Sequence, residues 1–308
     1  MPACEPIRLL VWSAACLPGV HLPFFAAVAD GLFAEYGLDV ELVESAPGAE
    51  RVKLLADGAG DFLLTASLYH LQALALLGPT PVHAVGVLHR RNPVAALVRV
   101  DSGITSPADL GGRRLGAPVG AQMGWLAVEL QAWLDAAGVQ PAEVADMDYP
   151  SAFAALARGE IDVVADLADL LPIDRRRART PLRAVPVAPD VDLYTSAVLA
   201  NDAVPAELVD RFVRAAAASF DRQRADPGRG VPELVAMYPE VDPEAAAETW
   251  LALEPYAFAG GTGAVASMDA QGWARTLDWL ARAHGVPAVP VDQVVRAERL
   301  RVASTTRS

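Results

Sequence analysis

The sequence carries little positive charge, and almost none of it comes from lysine. Lys plus Arg number 25 against 38 Asp plus Glu, which gives a formal net charge of −13 over 308 residues. Lys53 is the only lysine. An acidic chain is repelled by phosphate backbones and by anionic lipid surfaces. We therefore predict that no nucleic acid is a partner.

Cysteine and the common catalytic motifs are also scarce. The chain has 2 cysteines, Cys4 and Cys16, which follow neither a metal-ligand spacing nor the dense pattern of a disulfide scaffold. Two cysteines do not indicate whether the protein resides in a reducing or in an oxidising compartment. The sequence contains no GxxxxGK[ST], GxGxxG, HExxH or GxSxG motif. We therefore predict no cofactor and no metal.

Long apolar runs are missing as well. No apolar stretch approaches the ~18 residues that a membrane helix needs, so we predict no membrane insertion. Residues 9–16 superficially resemble a short secretory signal ending in a lipoprotein cysteine. Glu5 and the single Arg8 make a weak basic region, however, and Ser13 stands where a lipobox has an aliphatic residue. We interpret the segment as a buried strand, which predicts a cytoplasmic chain, or a periplasmic or extracellular one if a leader has been removed.

What the chain does contain is the pattern of an α/β protein. Its composition, 53% hydrophobic and 20% charged, is globular, and single cores stop growing near ~250 residues, which favours two lobes. Short apolar strands alternate with amphipathic helices. The predicted strands are 7–12, 40–43, 62–64, 82–87, 95–100, 114–117, 145–148, 163–165 and 182–187, and the pattern changes at 195–200, before long helical stretches. The predicted helices are 23–36, 49–55, 122–137, 151–158 and 206–223.

A short internal repeat links two distant parts of the chain. Residues 51–62 read RVKLLADGAGDF and residues 153–163 read FAALARGEIDV. Each segment predicts a helix, a tight turn and a strand that an acidic residue opens, Asp61 in one copy and Asp162 in the other. Two copies of one α/β unit favour two similar lobes over a single barrel.

Two longer segments carry a family resemblance. Residues 23–43 read PFFAAVADGLFAEYGLDVELV, and residues 101–117 read DSGITSPADLGGRRLGA. Together with the repeat, they resemble the type II periplasmic-binding-protein superfamily, in particular its sulfonate/taurine-binding and thiamine-pyrimidine-synthase-like branch. The resemblance extends over most of residues 7–200.

The resemblance implies two Rossmann-like lobes with a cleft between them and closure by hinge motion. It implies a first lobe over residues 1–99, a second over 100–189, and a return to the first with C-terminal helices over 190–308. It also implies a substrate-binding protein of the ABC-importer type, whose partners are a small-molecule ligand and an ABC permease. In open α/β sheets the ligand lies beyond the carboxyl ends of the strands, where helix N-termini favour anions. A small organic anion or an aromatic heterocycle is therefore the predicted ligand.

Five segments match the family's ligand-contacting loops by position. They supply the candidate ligand-binding residues Ser13, Thr65, Ser67, Gly120, Gln122, Met123, Asp166, Tyr194 and Ser196. Aromatic walls are expected from Trp12, Tyr69 and Trp125. The alternative for Ser67 and Asp166 is a helix N-cap, and the alternative for the aromatic residues is a place in the core.

An enzymatic alternative uses the same fold. A thiol at Cys16 near the imidazole of His21 is typical of an activated nucleophile, and an aromatic-sulfinate desulfinase of this superfamily uses a cysteine in this loop. The sequence lacks that enzyme's His and Arg segments at residues 65–77, and a lone cysteine is more often inert. The cysteine-rich iron-binding motif of the pyrimidine synthases is absent too, which argues against suicide pyrimidine synthesis.

A second enzymatic resemblance lies at His89, Arg90 and Arg91, which are similar to a segment of the dihydroxyphthalate decarboxylases. Arginines beside a cleft can hold an aromatic carboxylate through paired hydrogen bonds. The alternative is that Arg90 and Arg91 are solvated loop charges. We therefore predict a non-catalytic solute-binding protein, with a cytosolic decarboxylase or desulfinase as the alternative.

Overall fold

Two five-stranded sheets organise the part of the chain that the computed structural model describes, which is residues 4–12, 17–117, 125–141, 143–259, 265 and 268–300. The first sheet contains β1 (Glu5–Val11), β2 (Leu38–Glu44), β3 (Phe62–Ala66), β4 (Val82–Val87) and β10 (Ser196–Asn201). The second contains β5 (Val94–Arg99), β6 (Arg114–Ala117), β7 (Glu143–Asp146), β8 (Val163–Leu167) and β9 (Leu182–Pro186).

The helices, numbered in chain order, cover these sheets. They are α1 (Pro18–Ala29), α2 (Leu32–Glu35), α3 (Glu50–Ala56), α4 (Ser67–Leu77), α5 (Trp125–Ala136), α6 (Tyr149–Arg158), α7 (Leu171–Ala178), α8 (Ala206–Ala225), α9 (Val231–Met237), α10 (Pro243–Ala257) and α11 (Ala270–His284). No helix among the described residues is long and apolar enough to cross a membrane.

The two sheets share one topology. The first has the order β2-β1-β3-β10-β4, with β10 antiparallel to both of its neighbours. The second has the order β7-β6-β8-β5-β9, with β5 antiparallel to both of its neighbours. Each sheet therefore takes its antiparallel strand from the segment that follows a crossing between the sheets. The predicted α/β fold in two similar lobes is confirmed.

One predicted boundary is wrong. We placed the end of the first lobe at residue 99, near the end of the predicted strand 95–100, but β5 pairs with β8 and β9 of the second sheet. The first crossing therefore lies between β4 and β5. Asn92 ties this crossing to the returning one, because its Nδ2 donates to the carbonyl of Val187 at 2.6 Å and its backbone N–H donates to that of Val191 at 3.0 Å.

The first predicted helix, 23–36, is two helices in the structure. α1 begins earlier, at Pro18, because proline is well suited to the first position of a helix. It ends at Ala29, since Gly31 adopts a left-handed φ of +70° that interrupts the helix before α2. A helix break at this glycine turns the chain toward β2.

The internal repeat has a physical counterpart in the first lobe. The backbone N–H of Arg8 in β1 donates to Oδ2 of Asp61 at 2.7 Å, and the N–H of Asp61 donates to the carbonyl of Arg8 at 2.9 Å. Nη2 of Arg8 also donates to the carbonyl of Gly58 at 2.7 Å. The acidic residue thus fastens the turn after α3 to the neighbouring strand.

The second lobe repeats the same arrangement. The N–H of Arg114 in β6 donates to Oδ2 of Asp162 at 2.9 Å, and the N–H of Asp162 donates to the carbonyl of Arg114 at 2.9 Å. Nη2 of Arg114 donates to the carbonyl of Gly159 at 2.7 Å. The acidic residue that opens each repeated strand therefore sets the register of that strand beside its parallel neighbour.

We expect Asp162→Ala to lower the free energy of unfolding by about 1–3 kcal/mol, because it removes a partly buried carboxylate that accepts from both a backbone N–H and a guanidinium. Asp61→Ala is expected to have an effect of the same sign through the equivalent contact. Urea unfolding measures both. Asp146→Ala, at an exposed carboxylate in β7, is the control. Equal stability of Asp162→Ala and the control would contradict this role.

Two helix pairs join the lobes. α10 packs on α1 of the first lobe and also on α7 of the second, where Arg176 contacts carboxylates on and before α10 at 3.0–3.3 Å. α11 packs against α4 of the first lobe and contacts α5 of the second, where the rings of Trp133 and Trp279 stack with centroids 3.7 Å apart. The structure therefore shows the two lobes in direct contact.

Candidate functional site

The parallel strands β1, β2 and β3 end at one edge of the first sheet. Trp12 follows β1, Glu44 ends β2, and Thr65 lies one residue before the end of β3. β10 begins at this edge, since it runs antiparallel to β3, so Thr195 lies there too. The carboxyl edge of an open α/β sheet is where such proteins place their ligands. These residues define the first lobe's part of the candidate site.

Arg51 is a fully buried cation at this edge. It lies in the first turn of α3 and is 0% exposed. Its guanidinium carbon lies 3.8 Å from the ring centroid of Trp12 and 4.9 Å from that of Tyr69. The two rings meet edge to face, with centroids 6.2 Å apart. Two of the predicted aromatic walls therefore contact an arginine side chain.

Several buried polar atoms at this sheet edge have no hydrogen-bond partner within the described chain. None of the three guanidinium nitrogens of Arg51 bonds to a residue that the structure describes. The same holds for the indole nitrogen of Trp12 and for the hydroxyls of Thr65 and Thr195. A buried polar group without a partner costs about 1–3 kcal/mol, and native proteins keep few of them. Their concentration at one sheet edge indicates a binding place for a polar ligand.

The charge of Arg51 persists at neutral pH. Burial lowers the pKa of Arg51 to about 9, and the charges of Tyr69 and Glu44 act in the opposite direction. Burial also raises the pKa of Tyr69, against the effect of the Arg51 charge. The cluster therefore presents one positive charge and a neutral phenol.

His21 lies close enough for the charge of Arg51 to act on it. Its Nδ1 lies 2.7 Å from the carbonyl of Leu17 and must donate, since a carbonyl only accepts. Nε2 then carries the lone pair and has no partner among the described residues. Burial, opposed by that hydrogen bond and reinforced by Arg51, lowers the pKa of His21 to about 4. His21 is therefore a neutral imidazole at physiological pH.

Several predicted residues lie outside the described part of the chain. They are Ser13, Cys16, Gly120, Gln122 and Met123. The predicted pairing of Cys16 with His21 and the predicted anion cradle at residues 120–123 stay predictions. Trp125, the first residue of α5, is half-buried, and its indole nitrogen has no partner among the described residues.

Ser67 and Tyr194 are committed to contacts inside the first lobe. The hydroxyl of Ser67 donates to the carbonyl of Tyr194, and Ser67 is the first residue of α4 rather than its cap. The hydroxyl of Tyr194 donates to Oδ2 of Asp269 at 2.7 Å, and Asp269 caps α11. Burial and this hydrogen bond raise the pKa of Tyr194 to about 12. Ser196 is half-exposed at the start of β10.

Asp166 lies in a buried network of the second lobe. Tyr149 donates its hydroxyl to one carboxylate oxygen, and the N–H of Leu167 donates to the other at 2.7 Å. Asp174 lies beside it and accepts from Nη1 of Arg177 at 2.9 Å. Burial raises the pKa of Asp166 to about 6 and raises that of Asp174 well above its usual value. Asp166 therefore joins α6, α7 and β8, and it does not cap the turn that follows β8.

The crossover residues are more buried than solvated loop charges would be. His89 is 0% exposed, with Nε2 3.5 Å from Oδ1 of Asp169 in the second lobe. Arg90 is 6% exposed, and its backbone N–H donates to the carbonyl of Tyr256 at 2.9 Å. Arg91 is half-buried. His89 therefore spans the two lobes at the crossing, and the solvated interpretation of Arg90 is wrong.

Arg51 is a site residue that was not predicted from the sequence. In the sequence it marks only the start of the internal repeat. A signal was present, since Arg51 precedes the buried Val52 at the start of a helix that follows a parallel strand. Among the described residues, no group of His, Cys, Asp and Glu is arranged to hold a metal ion.

The fold and the position of the site define a class. Two α/β lobes of one topology, joined by two crossings and carrying their buried polar cluster at a carboxyl sheet edge, are the features of the type II periplasmic binding fold. The chain belongs to the NMT1/THI5-like family, whose family model matches residues 19–229. The sequence matches none of the curated proteins.

Solved structures support the same fold. The chain is similar to the periplasmic aliphatic sulphonate-binding protein SsuA from Escherichia coli, with a TM-score of 0.74 and 17% identity over 95% of this chain and 92% of that one. It is similar to the alkanesulfonate-binding SsuA from Xanthomonas axonopodis pv. citri bound to MOPS, with a TM-score of 0.67 and 17% identity over 98% and 99%. It also resembles a cysteine-to-serine variant of DszB in complex with biphenyl-2-sulfinic acid, with a TM-score of 0.62 and 19% identity over 95% and 97%.

Proposed function

We propose that this chain is a solute-binding protein for a small organic anion, which it holds between its two lobes. The observation that carries the proposal is the buried cluster around Arg51, where a cation and several donors have no partner among the described residues. An anion supplies acceptors for these donors and a counter-charge for the guanidinium. Such a site supports binding without any further chemistry.

The similar solved structures favour sulfur oxyacids within this class. Two SsuA proteins are named for binding sulfonates, and DszB was solved with a sulfinic acid. Sulfonates and sulfinates are weakly basic anions that carry one charge at neutral pH. We propose sulfonates, sulfinates and aromatic carboxylates as the ligand class for this chain.

Delivery to an ABC permease is the second part of the proposal. The contacts at α7–α10 and α5–α11 join the two lobes, and a permease that binds both lobes would select one relative arrangement of them. The SsuA protein from Escherichia coli is described as periplasmic, and we propose the same location for this chain. Cell fractionation of the natural host tests it, because recovery only with cytoplasmic markers would contradict delivery from outside.

A lyase remains the second candidate, since DszB has the same fold. In this chain the neutral His21 offers an unused lone pair at Nε2, and Cys16 lies nearby in sequence. An imidazole with an available lone pair can accept a proton from a thiol. A desulfinase would release sulfite from an aromatic sulfinate, and a decarboxylase would release carbon dioxide.

One experiment separates the two candidates. The protein is incubated with butanesulfonate, benzenesulfinate, benzoate and phthalate while the unfolding temperature and the mass of each compound are followed over hours. A binding protein is expected to gain stability from at least one compound, because a ligand selective for the folded state stabilises it. Every compound is expected to stay intact. Turnover of any of them, abolished in Cys16→Ser or His21→Gln, would establish the lyase instead.

A further inference from the structure

Arg51 has an environment that its packing alone does not explain. It is 0% exposed, and the structure gives it two aromatic contacts and no hydrogen bond to a described residue. Arginine is almost never fully buried unless it is paired, because moving an unpaired charge out of water is costly. Cation–π contacts return about 2 kcal/mol when desolvated, which does not replace the lost hydrogen bonds.

The aromatic contacts restrict how a partner can approach. Trp12 and Tyr69 both lie within 4.9 Å of the guanidinium carbon. The N–H groups of the guanidinium, which point outward in the plane of the group, remain available as donors to a partner. An acid group with two oxygens matches that edge through two parallel hydrogen bonds.

The neighbouring charges limit the partner to a single negative charge. Glu44 ends the adjacent strand and lies close enough for its charge to act on Arg51. His21, also close to Arg51, is neutral at physiological pH. Glu44 is itself exposed, and its Oε2 accepts a hydrogen bond from the hydroxyl of Tyr238. The buried part of the cluster therefore has one cation, Arg51, which balances one negative charge and leaves the second charge of a dianion, such as a phosphate monoester, without a counter-charge.

Resting on the function proposed above, we infer that Arg51 is the residue that binds the ligand's acid group, and that this subsite selects monoanionic acids with two coplanar oxygens over dianions. Trp12 and Tyr69 act as positioning residues for the guanidinium, and the hydroxyls of Thr65 and Thr195 lie at the same sheet edge as further donors. The ligand's remaining body extends away from the first sheet toward the second lobe.

Calorimetric titration of the unmodified protein and three variants tests this assignment. Arg51→Met keeps the apolar length of the side chain and removes its charge, Arg51→Lys keeps the charge without the planar fork, and Lys53→Met is the control on the same helix, at an exposed residue. The probes are benzenesulfinate, benzenesulfonate, butanesulfonate and benzoate, with phenyl phosphate, a phosphate monoester, as the dianion. Arg51→Met is expected to lose on the order of 100-fold in affinity for the monoanions, since two charge-assisted hydrogen bonds disappear. The affinity of Arg51→Lys for the monoanions is expected to lie between those of Arg51→Met and the unmodified protein. Lys53→Met is expected to bind as tightly as the unmodified protein does.

The stability of the ligand-free protein is a second readout. If Arg51 is an anion-binding residue, Arg51→Met removes a buried charge that has no partner in the ligand-free protein. The unfolding temperature of the ligand-free variant is then expected to rise. If Arg51 mainly holds Trp12 and Tyr69 in place, that temperature falls. A fall in Arg51→Met but not in Lys53→Met would overturn the assignment.

The outcomes separate the two proposals. Binding of a probe by the unmodified protein and unchanged binding by Arg51→Met would overturn the role of Arg51 and leave the solute-binding function standing. Stronger binding of phenyl phosphate than of the monoanions would overturn the charge selectivity. Failure of the unmodified protein to bind any probe would count against the proposed function, and the ligand-free stability of Arg51→Met would then decide whether Arg51 is an anion site or a structural residue.

Discussion

Trp279→Ala is expected to lower the free energy of unfolding by about 3–5 kcal/mol, the usual cost of removing a buried tryptophan. Trp279 in α11 is 8% exposed and stacks on Trp133 of α5 with ring centroids 3.7 Å apart and an interplanar angle of 21°. Its indole nitrogen also donates to Oε2 of Glu129 at 3.4 Å. The substitution therefore removes a ring stack and a hydrogen bond at the same point.

The effect extends beyond stability because α5 and α11 belong to different lobes. Glu129 is 0% exposed, and its second oxygen lies 3.5 Å from Nε2 of His284. Loss of Trp279 removes one of the groups that surround this buried carboxylate, which favours an arrangement in which water reaches it. We expect the ligand-free variant to populate an open state, with a larger radius of gyration in X-ray scattering.

Two matched variants isolate the causes. Trp279→Phe keeps an aromatic ring against Trp133 and removes only the donor, so it is expected to lose less than Trp279→Ala. Glu129→Gln in the Trp279→Ala background removes the buried charge and is expected to recover part of the stability. An unchanged radius of gyration with wild-type stability in Trp279→Ala would contradict this description of the lobe contact.

Two buried histidines with lowered pKa values are each expected to lower the stability of the protein as the pH drops from about 6.5 to about 4. Burial lowers the pKa of His21 and of His70 from 6.5 to about 4 each. The unfolded chain takes up protons at these sites in that window while the folded chain does not. Each histidine therefore contributes stability that is present above pH 6.5 and lost as pH falls, up to roughly 3 kcal/mol per site.

The buried aspartates have the opposite sign. Burial raises the pKa of Asp166 from 3.8 to about 6, so the folded state holds a proton that the unfolded chain has already released. Its contribution is present below pH 3.8 and lost as pH rises through 6. Between pH 4 and 6, the dependence of the free energy of unfolding on pH is therefore the difference between the histidine and the aspartate contributions.

Single variants separate these contributions in urea unfolding at pH 7.5 and pH 5. His70→Gln keeps a donor for the carbonyl of Val82 and is expected to lose less stability on acidification than the unmodified protein. Asp166→Asn keeps an acceptor for Tyr149 and is expected to lose more stability on acidification, since its opposing effect is gone. Identical pH slopes in all three proteins would contradict the assigned pKa shifts.

Much of the fold could be predicted from hydrophobic pattern. The ranges predicted for β4 and β6 match the structure, because each is a short, mainly apolar segment that follows a turn rich in Pro or Gly. The repeat was recognisable from its matching residues, and the structure gives Asp61 and Asp162 equivalent contacts with the parallel neighbouring strand in each sheet. The lobe boundary was misplaced because a strand pattern carries no information on which of two sheets the strand joins.

The site was less predictable, and Arg51 shows why. Its neighbours Trp12 and Tyr69 come from other elements, and only the parallel pairing of β1 with β2 and β3 brings those elements together. Asp166 illustrates the converse. Its position after an apolar strand predicts a ligand contact or a cap, yet the strand's period directs its side chain to Tyr149. The position of a residue in the sequence predicts that it lies at the edge of a sheet, but it does not predict toward which neighbours the side chain points.

The most direct test of solute binding is native mass spectrometry of the protein mixed with benzenesulfinate and butanesulfonate. The account predicts a one-to-one complex whose added mass equals that of the intact compound, with the free compound unchanged after prolonged incubation. Conversion of benzenesulfinate to benzene and sulfite in catalytic amounts would contradict it and identify the chain as a desulfinase.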